Sequence, residues 1–159
     1  MNSSSDTQLR QQLVKHLKGG EAFVPVDTFV REVPFEQLGV VPPSLPYSFW
    51  QQFYHLRFAQ HDILDFCRNP EYTTVQWPDE YWPNEPAPHN QQDWDETMNA
   101  YFSERAEMTE LIANAENDLM APIPHGDGQT ILREALLVIE HTAYHTGQML
   151  VILRLLDEK

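Results

Sequence analysis

Residues 137–150 read LVIEHTAYHTGQML, and this run places two histidines, His141 and His145, four positions apart. In an α-helix, four residues give about 40° of rotation and about 6 Å of rise, so both imidazoles leave the same face. The rest of that face is largely apolar, which predicts that it points into a core. An unpaired buried polar group costs about 1–3 kcal/mol, so buried imidazoles need a hydrogen-bond partner or a metal.

A second run, residues 49–66, reads FWQQFYHLRFAQHDILDF and contains a third histidine, His55. Its apolar positions also recur at helical spacing, which predicts a second amphipathic helix. A His-x3-His pair alone also fits histidines that are hydrogen-bonded in a core or lie on a surface. Adding His55 from another helix favours a metal site with open coordination positions, in which one helix supplies two ligands and another supplies the third.

The composition is that of an ordinary globular protein, with 159 residues, 42% hydrophobic and 21% charged. This length predicts one domain, residues 1–159. The net charge of −14 and the absence of any basic stripe argue against nucleic acid and anionic membranes as partners. No stretch approaches the roughly 18 apolar residues of a membrane span, and the first residues lack the features of a signal peptide.

The single cysteine, Cys67, cannot form an intramolecular disulfide, which agrees with a reducing compartment. A cytoplasmic location is therefore predicted. On a continuous helix Cys67 lies about 18 Å beyond His55, too far to share an ion with it. It is expected to act as a small hydrophobic residue.

Four long helices are predicted from apolar periodicity and from proline and glycine stops, with hardly any alternating strand pattern. They cover residues 6–18, a run from after Pro46 to 68, residues 90–117 and residues 130–157. Residues 21–46 are punctuated by prolines, with room for a short helix over 26–32. The sequence therefore predicts an all-α four-helix bundle. A long crossover, residues 70–89, joins the second and third helices and permits an up-down-down-up order.

Three segments resemble the DinB family of small bacterial four-helix-bundle proteins. They read WQQFYHLRFAQHDIL at 50–64, WPDEYWP at 77–83 and EHTAYHTGQ at 140–148. The resemblance covers nearly the whole chain. It implies an up-down-down-up bundle, a divalent metal held by His55, His141 and His145, and a homodimer. Relatives in the wider superfamily include thiol-dependent transferases and a maleylpyruvate isomerase that use low-molecular-weight thiols, so the family does not imply a single reaction.

An open three-histidine site suits Zn²⁺ first, with Ni²⁺, Fe²⁺ or Mn²⁺ also accepted by imidazole. Such an ion could lower the pKa of a bound water to about 7, or bind and deprotonate a thiol. The zinc-protease scheme does not apply, because Thr142 follows His141 and Glu140 is turned about 100° away.

No catalytic residue is assigned from the sequence. Tyr144, Gln148 and Asp62 stand near the ligands in sequence and could orient imidazoles or a substrate, but they are interpreted as ordinary polar helix residues. The other histidines are expected on the surface or in loops: His16, His61, His89 and His125. The aromatic group Trp77, Tyr81 and Trp82 could line a pocket for a small organic substrate, but aromatics in such a link more often anchor it to the bundle.

Three functions remain open at this point. The first is a metal-dependent enzyme acting on a small molecule, as a transferase or hydrolase with a thiol cosubstrate. The second is a non-catalytic metal-binding or ligand-sensing bundle protein. In the third, the histidines are hydrogen-bonded core residues of a dimeric bundle that binds no metal.

Overall fold

All regular structure in residues 3–157, the part of the chain that the computed structural model describes, is helical, and this part contains no strand. The α-helices are α1 (Ser3–Lys18), α2 (Phe35–Leu38), α3 (Phe49–Arg68), α4 (Gln91–Ala113) and α5 (Ile131–Asp157), and single 3-10 turns cover Val26–Thr28, Val30–Glu32 and Asp79–Tyr81. The all-α prediction is confirmed. Residues 1, 2, 158 and 159, which the single-domain prediction includes, lie outside the described residues.

The long helices follow the predicted ranges, with differences at some ends. Helix α1 begins at Ser3, earlier than predicted, and α4 ends at Ala113 although the helix was predicted to continue to about Asn117. The chain leaves α4 because Asn114 adopts an extended conformation after its N–H has bonded to the carbonyl of Glu110. The short helix predicted over 26–32 is two 3-10 turns, and the one-turn α2 was not predicted.

A capping box fixes the start of α3. The Ser48 hydroxyl oxygen accepts the backbone N–H of Gln51 at 3.1 Å, and the Gln51 side chain accepts the N–H of Ser48 at 3.0 Å. The Ser48 hydroxyl also donates to the carbonyl of Pro86 at 2.5 Å. The start of α3 is thereby tied to residues 69–90, the segment between α3 and α4, which we call the 69–90 link.

Helix α3 packs against both α4 and α5, and α1 packs against the same two helices. Contacts between α3 and α4 advance in the same order along both helices, in the pairs Phe53–Trp94, Gln60–Tyr101 and Arg68–Glu107. The contacts between α3 and α5 run in opposite order along the two helices. Phe49, at the start of α3, clusters with Met149 near the end of α5, whereas Leu64, near the end of α3, clusters with Ala135 near the start of α5. No helix within residues 3–157 combines the length and apolar character that a membrane crossing needs.

Two apolar clusters form the core. The first is rich in aromatic rings, with the edge-on or tilted contacts that favour packed aromatics, and it includes Phe49, Trp50, Phe53, Trp94, Tyr101, Met149 and Ile152. The second is mostly aliphatic and includes Leu13, Leu17, Leu64, Met108, Ile112, Ala135 and Val138. On α5, buried polar side chains, among them His145, lie between the residues of the two clusters. On α3, the buried His55 lies between Phe53 and Leu56 of the first cluster.

Removing a ring from the aromatic cluster should destabilise the whole protein. Phe53 is fully buried, so Phe53→Ala is expected to lower the free energy of unfolding by about 3–5 kcal/mol, measured by urea unfolding. The matched control is Phe35→Ala, because Phe35 is 38% exposed and its replacement should cost less than about 1 kcal/mol. Equal losses in the two variants would contradict the assignment of Phe53 to the core.

Candidate metal centre

The rings of His55, His141 and His145 converge on one point. One ring nitrogen from each lies within 4.8 Å of the corresponding nitrogen of the other two. The ring centroids are 5.0 Å apart for His55 and His141, 4.6 Å for His55 and His145, and 4.3 Å for His141 and His145. The structure therefore brings together the three histidines that the sequence singled out.

Helix geometry accounts for this convergence. His141 and His145 leave one face of α5, one turn apart, and His55 faces them from α3, the helix against which α5 packs. His55 is 1% exposed and His145 is 4% exposed, whereas His141 is half-buried. The cluster is thus enclosed on two sides and more accessible at His141.

Two hydrogen bonds determine which ring nitrogens face the centre. His55 donates its Nδ1–H to the carbonyl of Tyr81 at 3.2 Å, and His145 donates its Nδ1–H to Oε1 of Gln52 at 2.6 Å. A neutral imidazole has a single N–H, so these bonds leave Nε2 of both rings as an unprotonated acceptor. Partners of this kind commonly orient histidines that bind metals.

The distance between opposed nitrogens tests whether a metal fits. Nε2 of His55 and Nε2 of His141 are 3.1 Å apart. Two nitrogens bound to one tetrahedral Zn²⁺ at about 2.0–2.1 Å lie about 3.3–3.4 Å apart, so an opening of a few tenths of an ångström accommodates the ion. The same separation also fits a hydrogen bond in which His141 donates to His55. The donor set therefore fits a divalent cation, and a metal-free core arrangement remains the competing interpretation.

Burial keeps the rings uncharged at neutral pH. Desolvation, followed by repulsion from His55, lowers the pKa of His141 from 6.5 to about 4. Desolvation, followed by repulsion from the other two rings, lowers the pKa of His145 to about 3. Desolvation also lowers the pKa of His55, and the bond to the Tyr81 carbonyl partly opposes this. Neutral imidazole is the form that binds metals, so no proton has to be displaced at pH 7.

Aromatic rings from the 69–90 link cover His55. The Trp82 ring stacks on the imidazole with parallel planes and a centroid distance of 3.9 Å, and Trp77 lies 5.9 Å away. Tyr81 supplies the carbonyl that His55 bonds, and its own ring contacts Trp77 and Phe58. The aromatic group therefore anchors the link and also forms part of the wall around the histidines.

A cavity of about 550 Å³ lies beside the cluster, and His141 is one of its lining residues. Trp77 and Tyr81 also line this cavity, whereas Trp82 does not. Further lining residues come from α3, from the 69–90 link, from the loop before α5 and from α5 itself, and include Asp62, Phe66, Tyr72, His125, Arg133, Glu134 and Leu137. A cavity of this volume can hold a small organic molecule.

Two residues beside the site form hydrogen bonds that the sequence pattern did not favour. Gln52 was given no role, although it stands three residues before His55 and orients His145. Asp62 was interpreted as an ordinary polar residue, but it accepts hydrogen bonds from the hydroxyls of Tyr72 and Tyr81. The position of Asp62, seven residues after His55, was a signal for a shared helix face.

The remaining candidates lie outside the cluster. His61 contacts Glu104 of α4 at 3.0 Å, and the side chains of His16, His89 and His125 are exposed. Tyr144 is 65% exposed, and Gln148 is half-buried. Burial, followed by the charge of Glu134, raises the pKa of Cys67 to about 12, which agrees with a thiol that is not a nucleophile.

The family model described as DinB superfamily matches residues 26–149, so the chain belongs to the DinB superfamily. No curated protein and no solved structure matched the chain.

The low pKa values predict acid sensitivity of the metal-free protein. Unfolded imidazoles gain protons below pH 6.5, whereas His141 and His145 stay neutral in the folded state down to about pH 4 and about pH 3. Protons then bind preferentially to the unfolded chain, so the stability present above pH 6.5 is progressively lost as the pH falls towards these lower values. Urea unfolding of chelator-treated protein at several pH values measures this loss.

His145→Gln should weaken the pH dependence, because it removes one of the shifted groups. His16→Gln is the matched control, since His16 is exposed on α1, and it should retain the full dependence. An unchanged dependence in His145→Gln would contradict the link between burial of the cluster and acid sensitivity.

Proposed function

We propose that the protein is a metal-dependent enzyme that acts on a small molecule through an open site formed by His55, His141 and His145. The reaction proposed is that of a transferase or hydrolase that uses a low-molecular-weight thiol as cosubstrate. The observation that carries the proposal is the pair of Nδ1 hydrogen bonds made by His55 and His145. These bonds leave Nε2 of both rings unprotonated beside His141 and able to bind a metal. Membership of the DinB superfamily supports it.

Zn²⁺ is the metal we propose first, and Ni²⁺, Fe²⁺ and Mn²⁺ are alternatives that the same imidazoles accept. A bound divalent ion supplies Lewis acidity towards an oxygen or sulfur atom of the substrate or cosubstrate. The three histidines would hold the ion, while Gln52 and the carbonyl of Tyr81 keep two of the rings in the required tautomer. The stacked Trp82 ring limits access of water on the His55 side.

The substrate is proposed to bind in the cavity beside His141. Its wall combines apolar side chains such as Phe66 and Leu137 with the polar groups of Tyr72 and Arg133. Such a mixture suits a small organic molecule with a few hydrogen-bonding groups. The net charge of −14 argues against nucleic acid as the substrate.

The proposal includes a single domain over residues 1–159, an up-down-down-up order of the four long helices, and a cytoplasmic location. The order of contacts between α3 and α4, and the opposite order between α3 and α5, support this topology. The presence of a single cysteine, Cys67, agrees with a reducing compartment.

A homodimer is also proposed. Three large apolar side chains are exposed on α5, Leu136 (51%), Tyr144 (65%) and Val151 (43%), and they lie within about 80° of one another around the helix. Exposed apolar groups that share a face are typical of interaction surfaces. A second copy of the chain would cover them.

Light scattering on the purified protein tests the dimer and should give twice the chain mass of 18.5 kDa. Leu136→Glu combined with Val151→Glu should give the mass of a single chain, because both charges would be buried at the interface. Met120→Glu is the matched control, since Met120 is also exposed but lies in the loop between α4 and α5. A wild-type protein of single-chain mass contradicts the dimer.

Metal analysis of untagged protein tests the central proposal. The purified protein should carry about one divalent ion per chain, and His141→Ala should lose it because one of three ligands is removed. His16→Ala is the matched control and should retain the ion. Wild-type protein that was purified in the presence of Zn²⁺ and carries none would overturn the proposal.

The burial of His55 and His145 favours a second candidate function, a non-catalytic protein whose metal is structural or whose site senses a ligand. X-ray absorption spectroscopy of the loaded protein separates the two candidates. An ion with an exchangeable water supports the enzyme. A coordinatively saturated ion, together with a large fall in melting temperature on chelation, supports the structural role.

A further inference from the structure

We propose that Asp62 is a positioning residue for the histidine cluster. With Tyr72 and Tyr81 it forms what we call the Asp62 clamp, which holds the 69–90 link so that the Tyr81 carbonyl selects the tautomer of His55. The relevance of this clamp to a metal rests on the proposed function. Its effect on His55 does not require a metal.

Both oxygens of Asp62 take part in the clamp. Oδ1 accepts a hydrogen bond from the Tyr72 hydroxyl at 2.9 Å, and Oδ2 accepts one from the Tyr81 hydroxyl at 2.5 Å. Hydrogen bonds to a carboxylate are among the stronger ones in proteins. Since both oxygens already accept a phenol, Asp62 fixes two points of the link and is poorly placed to act as a general base.

The hydroxyls remain donors throughout the neutral range. Burial, followed by the hydrogen bond and the charge of Asp62, raises the pKa of Tyr72 to about 12. The same causes raise the pKa of Tyr81 above its ordinary value. Two protonated phenols facing one carboxylate make a stable arrangement at pH 7.

Tyr81 connects the clamp to the histidine cluster. Its hydroxyl is bonded to Asp62, and its carbonyl accepts the Nδ1–H of His55. Asp62 lies seven residues after His55 on α3, which places the two side chains about 20° apart around the helix and about 10 Å apart along it. One tyrosine therefore spans two turns of α3, from the carboxylate at one end to the imidazole at the other.

Loss of the clamp would leave the link attached elsewhere. The bond from Ser48 to the Pro86 carbonyl and the stacking of Trp82 on His55 do not involve Asp62. Removal of the clamp is therefore expected to loosen Tyr81 without releasing the whole link. The specific consequence is that His55 loses its preference for Nδ1–H, so that its Nε2 is no longer reserved for the centre of the cluster.

The test compares wild-type protein with Tyr81→Phe and Asp62→Ala. Long-range nitrogen–proton NMR of the metal-free proteins reports the tautomer of His55. We expect Nδ1–H in the wild type and a mixture of tautomers in both variants. Competition with a coloured chelator measures the affinity for Zn²⁺, which should fall about 10–100-fold in both variants, as is typical when a partner of a metal-binding histidine is lost.

Tyr54→Phe and Asp65→Asn are the matched controls. Tyr54 is a half-buried tyrosine on α3 whose ring contacts Trp50 and Phe58. Asp65 is an aspartate of α3 that accepts a bond from Asn69, the residue that caps the helix. Both controls should keep the wild-type tautomer and affinity. Circular dichroism verifies that each variant is folded. If Asp62→Ala does not fold, Tyr81→Phe still tests the clamp, because it removes only the hydroxyl.

An unchanged tautomer of His55 in Tyr81→Phe would overturn the clamp, and so would Nε2–H in the wild type. Failure of the wild-type protein to bind Zn²⁺ would instead overturn the proposed function. In that case the NMR comparison on metal-free protein still decides whether Asp62 controls His55.

Discussion

Three uncharged imidazoles lie together where α3 packs against α5, and the rest of the site follows from the need to satisfy their hydrogen bonds there. Burial lowers the pKa of each ring, so each imidazole is in its neutral form, with a single N–H, at neutral pH. Each N–H must then find an acceptor inside the protein. For His55 and His145 the acceptors are the Tyr81 carbonyl and the Gln52 amide oxygen, and this choice directs the unprotonated nitrogens towards each other.

The packing of α3 against α5 and the position of the 69–90 link make different contributions to the site. The helices fix the distance between His55 and the pair on α5, because residues on packed helix faces have little freedom to move. The link supplies the carbonyl and the aromatic cover, and it is held by the Asp62 clamp and by Ser48. The cavity beside His141 arises where the link, α3 and α5 meet.

Sequence periodicity predicted the long helices and the pairing of His141 with His145, because apolar spacing on a helix depends only on local geometry. The addition of His55 from another helix came from the family resemblance as well. Periodicity predicted the end of α4 less well, since the exit of the chain at Asn114 is accompanied by a contact with α1: Arg10 bonds the carbonyls of Ile112, Asn114 and Asn117. It also gave Gln52 no role and favoured an ordinary polar role for Asp62. A glutamine or an aspartate on a helix has no distinctive pattern, and its role is visible only when its partner is known.

The amino-acid sequence by itself determined which residues could share a helix face, that these faces were apolar enough to be buried, and that His141 and His145 would stand one turn apart. Tertiary structure alone decided which nitrogen of His55 and of His145 faces the centre of the cluster, since that depends on the Tyr81 carbonyl and on Gln52. It also decided that His141 lines a cavity. The physical reason is that helix periodicity is a short-range property of the chain, whereas hydrogen bonds between distant segments depend on how those segments pack.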